Sequence, residues 1–384
     1  MTNPDNPTNN TSSNTNANHD TPTATSSTAT DTSAGSGRSG SGVVAVGNEA
    51  VRSGMDALVG VGRHRRWGLI VGVGLLVVFA LWAINDGGFE LFVQRVVDGL
   101  GNGFVYSAMA LALVLIYKAT GVVNFAQGEM AMMGAFVAYA IAGAFDLPGA
   151  VAVAIAMVLS AIVAAGIERV LIRPFDPSNH LAIVIVTLSL FLILNALAGV
   201  IWAFDPRAFP SLFPGRNQSF GLFGAEVEWA DLGTWITVIT AVVLVTLLLT
   251  RTKIGLAFRA MSSSLESAQL LGISIGRTMQ FGWALAAAIG TLAGSLVART
   301  TLLEPNFMGR VLIYSFAAAT LGGLDSLGGA VVAGVIIGLV QTMGGQYIDA
   351  IGSELAPAVA LAVIVIILVI KPSGLFGTKR IERV

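Results

Sequence analysis

Few side chains in this 384-residue chain stand where they could do chemistry. There is no cysteine, which excludes disulfides, thiolate metal sites and thiol nucleophiles. His19, His64 and His180 are too scattered for a metal cluster. Neither a nucleophile–base pair nor a Walker A loop is present; GSGRSGSG lacks the Gly-Lys-Ser/Thr that grips phosphate. No cofactor, metal or catalytic residue is therefore expected. What remains is Glu129, an acidic residue inside a predicted membrane span, about two turns from one end. It clusters with Asn124 and Gln127 among Gly121, Gly128 and Gly134. Ionisable residues within a membrane are rare and mark solute paths or paired sites. The glycines allow close helix approach or a local break. Two readings stay open: these polar groups line a path, or they cap and pin a helix break. Asn102, Tyr106, Asn195 and Gln341 are further path candidates, with interhelical hydrogen bonding as the alternative.

A second cluster lies in the polar stretch Arg251 to Arg277, RTKIGLAFRAMSSSLESAQLLGISIGR. Arg251, Lys253 and Arg259 lead in. Ser263 and Glu266 read as an S-x-x-E capping box, which starts a helix by satisfying orphan backbone N–H groups. Leu265, Ala268 and Leu271 give that helix one apolar face, and Gly272 fits its stop. About two turns cannot cross a bilayer, which needs about 20 residues. A cap, an apolar face and a stop predict a docking element for a partner. Leu265, Leu270, Leu271 and Ile273 are the expected contacts, and an inert amphipathic helix on the membrane surface is the alternative.

The elements that must position these residues follow from composition. The chain is 54% hydrophobic and 11% charged, against about 25% charged in soluble domains. Its mean hydropathy is +0.78. So much apolar surface cannot be buried in one or two soluble domains. The expected fold is an all-α membrane protein, a bundle of about ten transmembrane helices with a short cytoplasmic helix for coupling. The predicted spans are Trp67–Ile84, Val97–Tyr117, Val122–Phe145, Gly149–Ile167, Leu181–Phe204, Leu232–Thr250, Thr278–Ala298, Val311–Gly323, Gly328–Gly344 and Leu355–Ile370, the eighth being short and ending at Gly-Gly. Residues 1–62 are expected to be a cytoplasmic tail, low in complexity and disordered through its first 42 residues; Val43 to Gly62 read equally as a weak surface helix. Residues 63–377 form the membrane domain and 378–384 a cytoplasmic end.

Alternating the spans from a cytoplasmic N-terminus places Arg63, Arg65, Arg66, Lys118, Arg169, Arg173, Arg251, Lys253, Arg259, Arg277, Lys371, Lys379, Arg380 and Arg383 inside. Only Arg95, Arg207, Arg216, Arg299 and Arg310 fall outside. That asymmetry fixes both termini in the cytoplasm of a cell-membrane protein. The largest outer loop, Asp205 to Asp231, carries Phe209, Phe213, Phe220, Phe223 and Trp229, which read as an interfacial belt or a lid.

Ile116 to Ala138, IYKATGVVNFAQGEMAMMGAFVA, resembles the G-V-I-N-F-A-(H/Q)-G-E…G-A-Y signature of branched-chain amino acid ABC transporter permeases of the LivH type. LESAQLLGISIGR resembles that family's R-E-A-A-R-L-(M/L)-G-I-N-V loop. AAATLGGLDSLGGAVVAG, from Ala317 to Gly334, resembles its Gly-rich penultimate segment, and KPSGLFG, from Lys371 to Gly377, its R-P-Q-G-L-F-G end. The motifs occur in order over about three quarters of the chain. Leu265 stands where the family usually has Arg, and Lys371 and Ser373 where it has Arg and Gln. The resemblance implies a permease subunit of an ABC importer for branched-chain or related amino acids, with urea or short amides as an alternative cargo. It implies as partners a second, related permease subunit, two ATPase subunits, an extracytoplasmic solute-binding protein and the lipid bilayer, and no nucleic acid. The stretch around Ser263–Gly272 would then couple to the ATPase. Arg299, Glu304 and Arg310 are candidates for docking the binding protein. A self-sufficient secondary transporter would instead need paired ionisable groups at the midplane, and Glu129 has no obvious partner.

Overall fold

The computed structural model describes the backbone of residues 41–175, 179–214 and 218–348 and of positions within 355–377; its side chains are described from Val78 onward. Residues 1–40 of the expected tail, half of the positions in the span Leu355–Ile370 and the end 378–384 lie outside the described residues. The chain divides into two compact units, Met1–Gly74 and Leu75–Val384.

Helices α1 (Ser41–Thr120), α2 (Gln127–Phe145), α3 (Gly149–Ile167), α4 (His180–Trp202), α5 (Trp229–Arg251), α6 (Lys253–Ser263), α7 (Leu265–Leu270), α8 (Ile275–Thr300), α9 (Met308–Gly322) and α10 (Leu327–Tyr347) make up the fold, with a π-helical turn at Glu168–Ile172. Among the described residues, seven helices are long and apolar enough to cross a membrane, fewer than the ten expected. Three expected spans account for the difference. The first two fall in α1, where only Gly88, at φ 81°, leaves helical geometry. The chain bends there: Phe79 and Trp82 before it, and Phe92 and Val96 after it, pack on the Met343–Tyr347 end of α10. The eighth is the short helix α9, and half of the tenth lies outside the described residues.

Burial separates two kinds of helix. The best apolar windows of α1 and α8 are 78% buried, whereas those of α3, α4 and α5 are 22% buried and turn most of their surface outward. An apolar, outward-facing helix is stable only in lipid, so the latter group forms the membrane-facing wall. Small residues let the core helices approach. A Cβ on Gly294 would come within 2.5 Å of the Ala131 carbonyl oxygen, and one on Gly134 would strike Thr291. Such contacts drive helix association where no hydrophobic force acts between helices.

The largest loop holds a small sheet, and its Arg207 also bridges antiparallel to Leu303. Strands β1 (Ser219–Leu222) and β2 (Ala225–Glu228) pair antiparallel. Phe223 (φ 52°) and Gly224 (φ 86°) form the two-residue turn, the positive-φ geometry that tight hairpins need. Its aromatics divide: Phe209 is buried, Phe220 packs on Trp229 at 5.0 Å, and Phe223 and Trp229 are exposed.

Candidate functional site

Where the sequence predicts one span from Val122 to Phe145, the structure has a break. Gly121 (φ 73°) ends α1, and α2 begins only at Gln127. Asn124 builds the turn between them: its Oδ1 accepts from the Ala126 N–H (3.0 Å), and its Nδ2 donates to Gln127 Oε1 (3.3 Å). Gln127 donates across to the Ala286 carbonyl of α8 at 3.0 Å. Glu129 therefore sits in the first turn of α2, not two turns inside a longer helix. Its Oε2 accepts from Asn195 Nδ2 at 3.3 Å, and Asn195 also donates to Asn306 Oδ1 at 2.6 Å. Asn124, Gln127 and Glu129 are 1%, 0% and 2% exposed, so this is an interior network. Gly121 packs against His180 at the start of α4, while Glu129 reaches Asn195, about 22 Å further along that helix. The irregular run 122–126 thus lies at membrane depth, which is tolerated only where protein encloses it.

The polar stretch after α5 forms two helices. In α6, capped by Thr252, residues Gly255, Phe258 and Met261 face inward and Arg259 is exposed. The cap of α7 is Ser264, whose side chain accepts from the Ser267 N–H at 3.2 Å. The expected cap, Ser263, is instead the last residue of α6, because the chain turns extended at Ser264 (φ −158°, ψ 120°). The side chains of Leu265 and Glu266 lie outside the described residues. The stop at Gly272 takes the left-handed form (φ 76°): Gly272 N–H donates to Gln269 O (2.9 Å) and Ile273 N–H to Ala268 O (3.0 Å). Ala268 is buried and Ile273 packs on the same core, but Leu270 and Leu271 are 90% and 76% exposed. The face expected to dock is thus divided between an inner anchor and two bare leucines.

Beside α7 the π-helical turn brings Glu168, fully buried, against Arg173 (Nη2–Oε2 2.7 Å). Arg173 also donates to the Gly276 carbonyl (2.8 Å) and to Gln280 Oε1 (3.2 Å), tying α3 to the start of α8. A π-turn is rare and often functional; nothing in the local sequence announced it.

At the hairpin end a cleft of about 490 Å³ opens between α1, α5, α8 and α10. Two of the sequence candidates, Asn102 and Gln341, line it, and a third, Tyr106, bonds to Gln341. Asn102 donates to Thr342 Oγ1 (3.3 Å), and below it Tyr106 donates to Gln341 Oε1 (3.3 Å) and stacks on Tyr314 (5.0 Å) to close the floor. Arg95, Asp98, Asp231 and Arg299, which sequence reasoning left among the outer loop charges, line the same cleft. Arg299 pairs with Asp231 (2.6 Å) and Glu228 (3.2 Å), and Arg95 with Asp98 (3.1 Å). Gln94 clasps the backbone of Glu226, fastening the hairpin to the rim. The spacing of Arg95, Asp98, Asn102 and Tyr106 by three and four residues was the available signal for one polar helix face. The seven path candidates therefore fall into two groups: Asn102, Tyr106 and Gln341 at the cleft, and Asn124, Gln127, Glu129 and Asn195 at the break.

Three of the sequence motifs, far apart in the chain, meet at the turn between α9 and α10. Lys118 donates to the Asp325 carbonyl at 2.8 Å. Leu375 and Phe376 donate to the Leu321 and Gly322 carbonyls at 2.7 and 3.2 Å, clamping the turn between α9 and α10. Gly374 (φ 74°) fits against Gly323 with no room for a Cβ. A helical bundle with apolar outer walls, buried intramembrane polar groups and a capped helix bearing bare leucines defines a multi-pass membrane protein. The chain belongs to the family described as branched-chain amino acid transport system / permease component, whose profile matches residues 95–370. It is 28% identical over 308 residues to the high-affinity branched-chain amino acid transport system permease protein LivH of Escherichia coli K12, covering 77% of this chain and 99% of that one. It is 30% identical over 302 residues to the probable branched-chain amino acid transport permease protein LivH of Methanocaldococcus jannaschii, covering 74% and 94%. Among solved structures it aligns with PsaBC from Streptococcus pneumoniae in complex with Fab at 15% identity and a TM-score of 0.42, over 77% of this chain and 97% of that one.

Proposed function

We propose that this chain is the membrane-spanning permease subunit of an ABC importer that moves branched-chain or related amino acids, driven by ATPase subunits on separate chains. Family membership supports the class, and the excess of basic residues on the α7 side supports a cytoplasmic position for that end and for both termini. The observation that carries the coupling role is α7 itself. Its ends are locked by Ser264 and Gly272 and its inner face by Ala268, while Leu270 and Leu271 stand bare. Two neighbouring apolar side chains on a rigid, aqueous surface element fit a groove on a partner. The partner permease and an extracytoplasmic binding protein complete the assembly, the latter meeting the hairpin end.

The hydrogen-bonded pairs Asn124–Gln127 and Glu129–Asn195 are the hinge in the path wall, and the cleft lined by Asn102 and Gln341 is its outer entrance. The test is co-purification from native membranes of wild type and a Leu270→Asp, Leu271→Asp double variant. An ATPase retained by wild type and lost from the variant supports the reading. An ATPase retained by both moves the docking site off α7. Uptake of labelled leucine but not urea into vesicles holding the assembled system identifies the cargo class; the reverse result would replace it with amides.

A further inference from the structure

The outer cleft carries charge of both signs in an ordered way. On one wall, Arg299 sets a single positive charge against the carboxylates of Asp231 and Glu228, leaving one negative charge in excess. On α1, Arg95 makes one hydrogen bond, through Nη1 to Asp98; its Nε is buried without a partner, and its Nη2 makes no hydrogen bond. Asp98 is meanwhile shared with Gln94 Nε2 at 2.9 Å, so it does not belong to Arg95 alone. The lining is mostly polar, with Asn102, Thr234, Thr300, Gln341 and Thr342, while its apolar Val105 and Leu296 are 8% and 1% exposed. A cleft of about 490 Å³ has room for a small amino acid and its water.

We propose that this cleft is a seat for the zwitterionic head of an α-amino acid, with Arg95 taking the carboxylate and Asp231, which shares Arg299 with Glu228, taking the ammonium. The inference rests on the importer reading and deepens it, since it assigns the permease its own chemical filter between the binding protein and the membrane path. A guanidinium with free N–H donors matches a carboxylate bidentately. A carboxylate wall with excess negative charge matches an ammonium. A neutral amide such as urea satisfies neither.

The test uses the assembled transporter in nanodiscs without binding protein. Three probes are compared for binding: leucine, leucinamide (no carboxylate) and 4-methylpentanoate (no ammonium). Wild type should favour leucine over both. Arg95→Gln should weaken leucine about tenfold and abolish its advantage over leucinamide only. Asp231→Asn should abolish its advantage over 4-methylpentanoate only. A merely destabilised cleft would lower all three probes together, and that pattern overturns the assignment. So does wild type that imports leucine in vesicles yet shows no binding to the cleft, or variants whose preferences are unchanged. In those cases the importer reading stands, whereas failure of the complete wild-type system to import leucine defeats that reading itself.

Discussion

Two ion-pair sites, one near α7 and one at the hairpin end, use the same side-chain types to opposite effect. Glu168 is wholly enclosed and its partner Arg173 reaches two further acceptors on α8. Arg95 and Asp98, by contrast, are 33% and 35% exposed and hold each other by one contact. A charge removed from water needs its full complement of partners, so the first site is committed to holding α3 against α8. A half-solvated pair gains little from its own geometry and remains open to exchange with a ligand. The proposed importer would use both properties: a stiff end to receive motion and a polar mouth that exchanges ligand.

The contrast predicts a graded set of responses. Arg173→Ala should destabilise the detergent-purified protein most, by about 3 kcal/mol, because it strands Glu168 in the interior. Thermal unfolding should recover much of that loss when Glu168→Gln is added; no recovery would mean that Arg173 acts by packing alone. Gln127→Ala should come next, at about 1–2 kcal/mol, by opening the bond to α8 and leaving Asn124 Nδ2 only the weak Met130 sulfur as acceptor. If Gln127→Ala unfolds like wild type, the α1–α2 break is held by packing and not by its amides. Gly272→Ala should cost about 1 kcal/mol, since any Cβ strains the left-handed stop. Its sharper readout is ATP hydrolysis uncoupled from uptake, because α7 would no longer be rigid; tight coupling in this variant would separate the Gly272 stop from transmission.

Much of this was legible in the residues, for reasons that also explain the failures. Runs such as Gly149–Ile167 declare themselves because about 20 consecutive apolar residues have few other stable homes, and α3 begins and ends at those residues. Hydropathy is blind to backbone conformation, however. Val122, Val123, Phe125 and Ala126 are as apolar as any helix, so the irregular run that delays α2 to Gln127 reads as part of a span. The hairpin was hidden because Phe223 occupies a positive-φ position that usually calls for Asn or Gly. A cap was foreseen for α7, but in a run of three serines the sequence could not choose the one whose backbone turns extended, Ser264. The cleft was half visible. Asn102, Tyr106 and Gln341 were recognisable as polar groups in apolar helices, but their meeting with Arg299 and Asp231 depends on how α1, α5, α8 and α10 pack.

The smallest stability effect belongs to Arg95, and its smallness is the point. Replacing it with Gln removes one half-exposed ion pair, worth at most about 1 kcal/mol and screened by salt. Asp98 keeps its bond from Gln94 and no buried charge is stranded. Thermal unfolding of Arg95→Gln should therefore nearly match wild type in detergent, while leucine uptake by the assembled system falls. Arg173→Ala should show unfolding and uptake failing together. A loss of stability in Arg95→Gln as large as that in Arg173→Ala would erase the distinction between the two ends and return Arg95 to the structural scaffold.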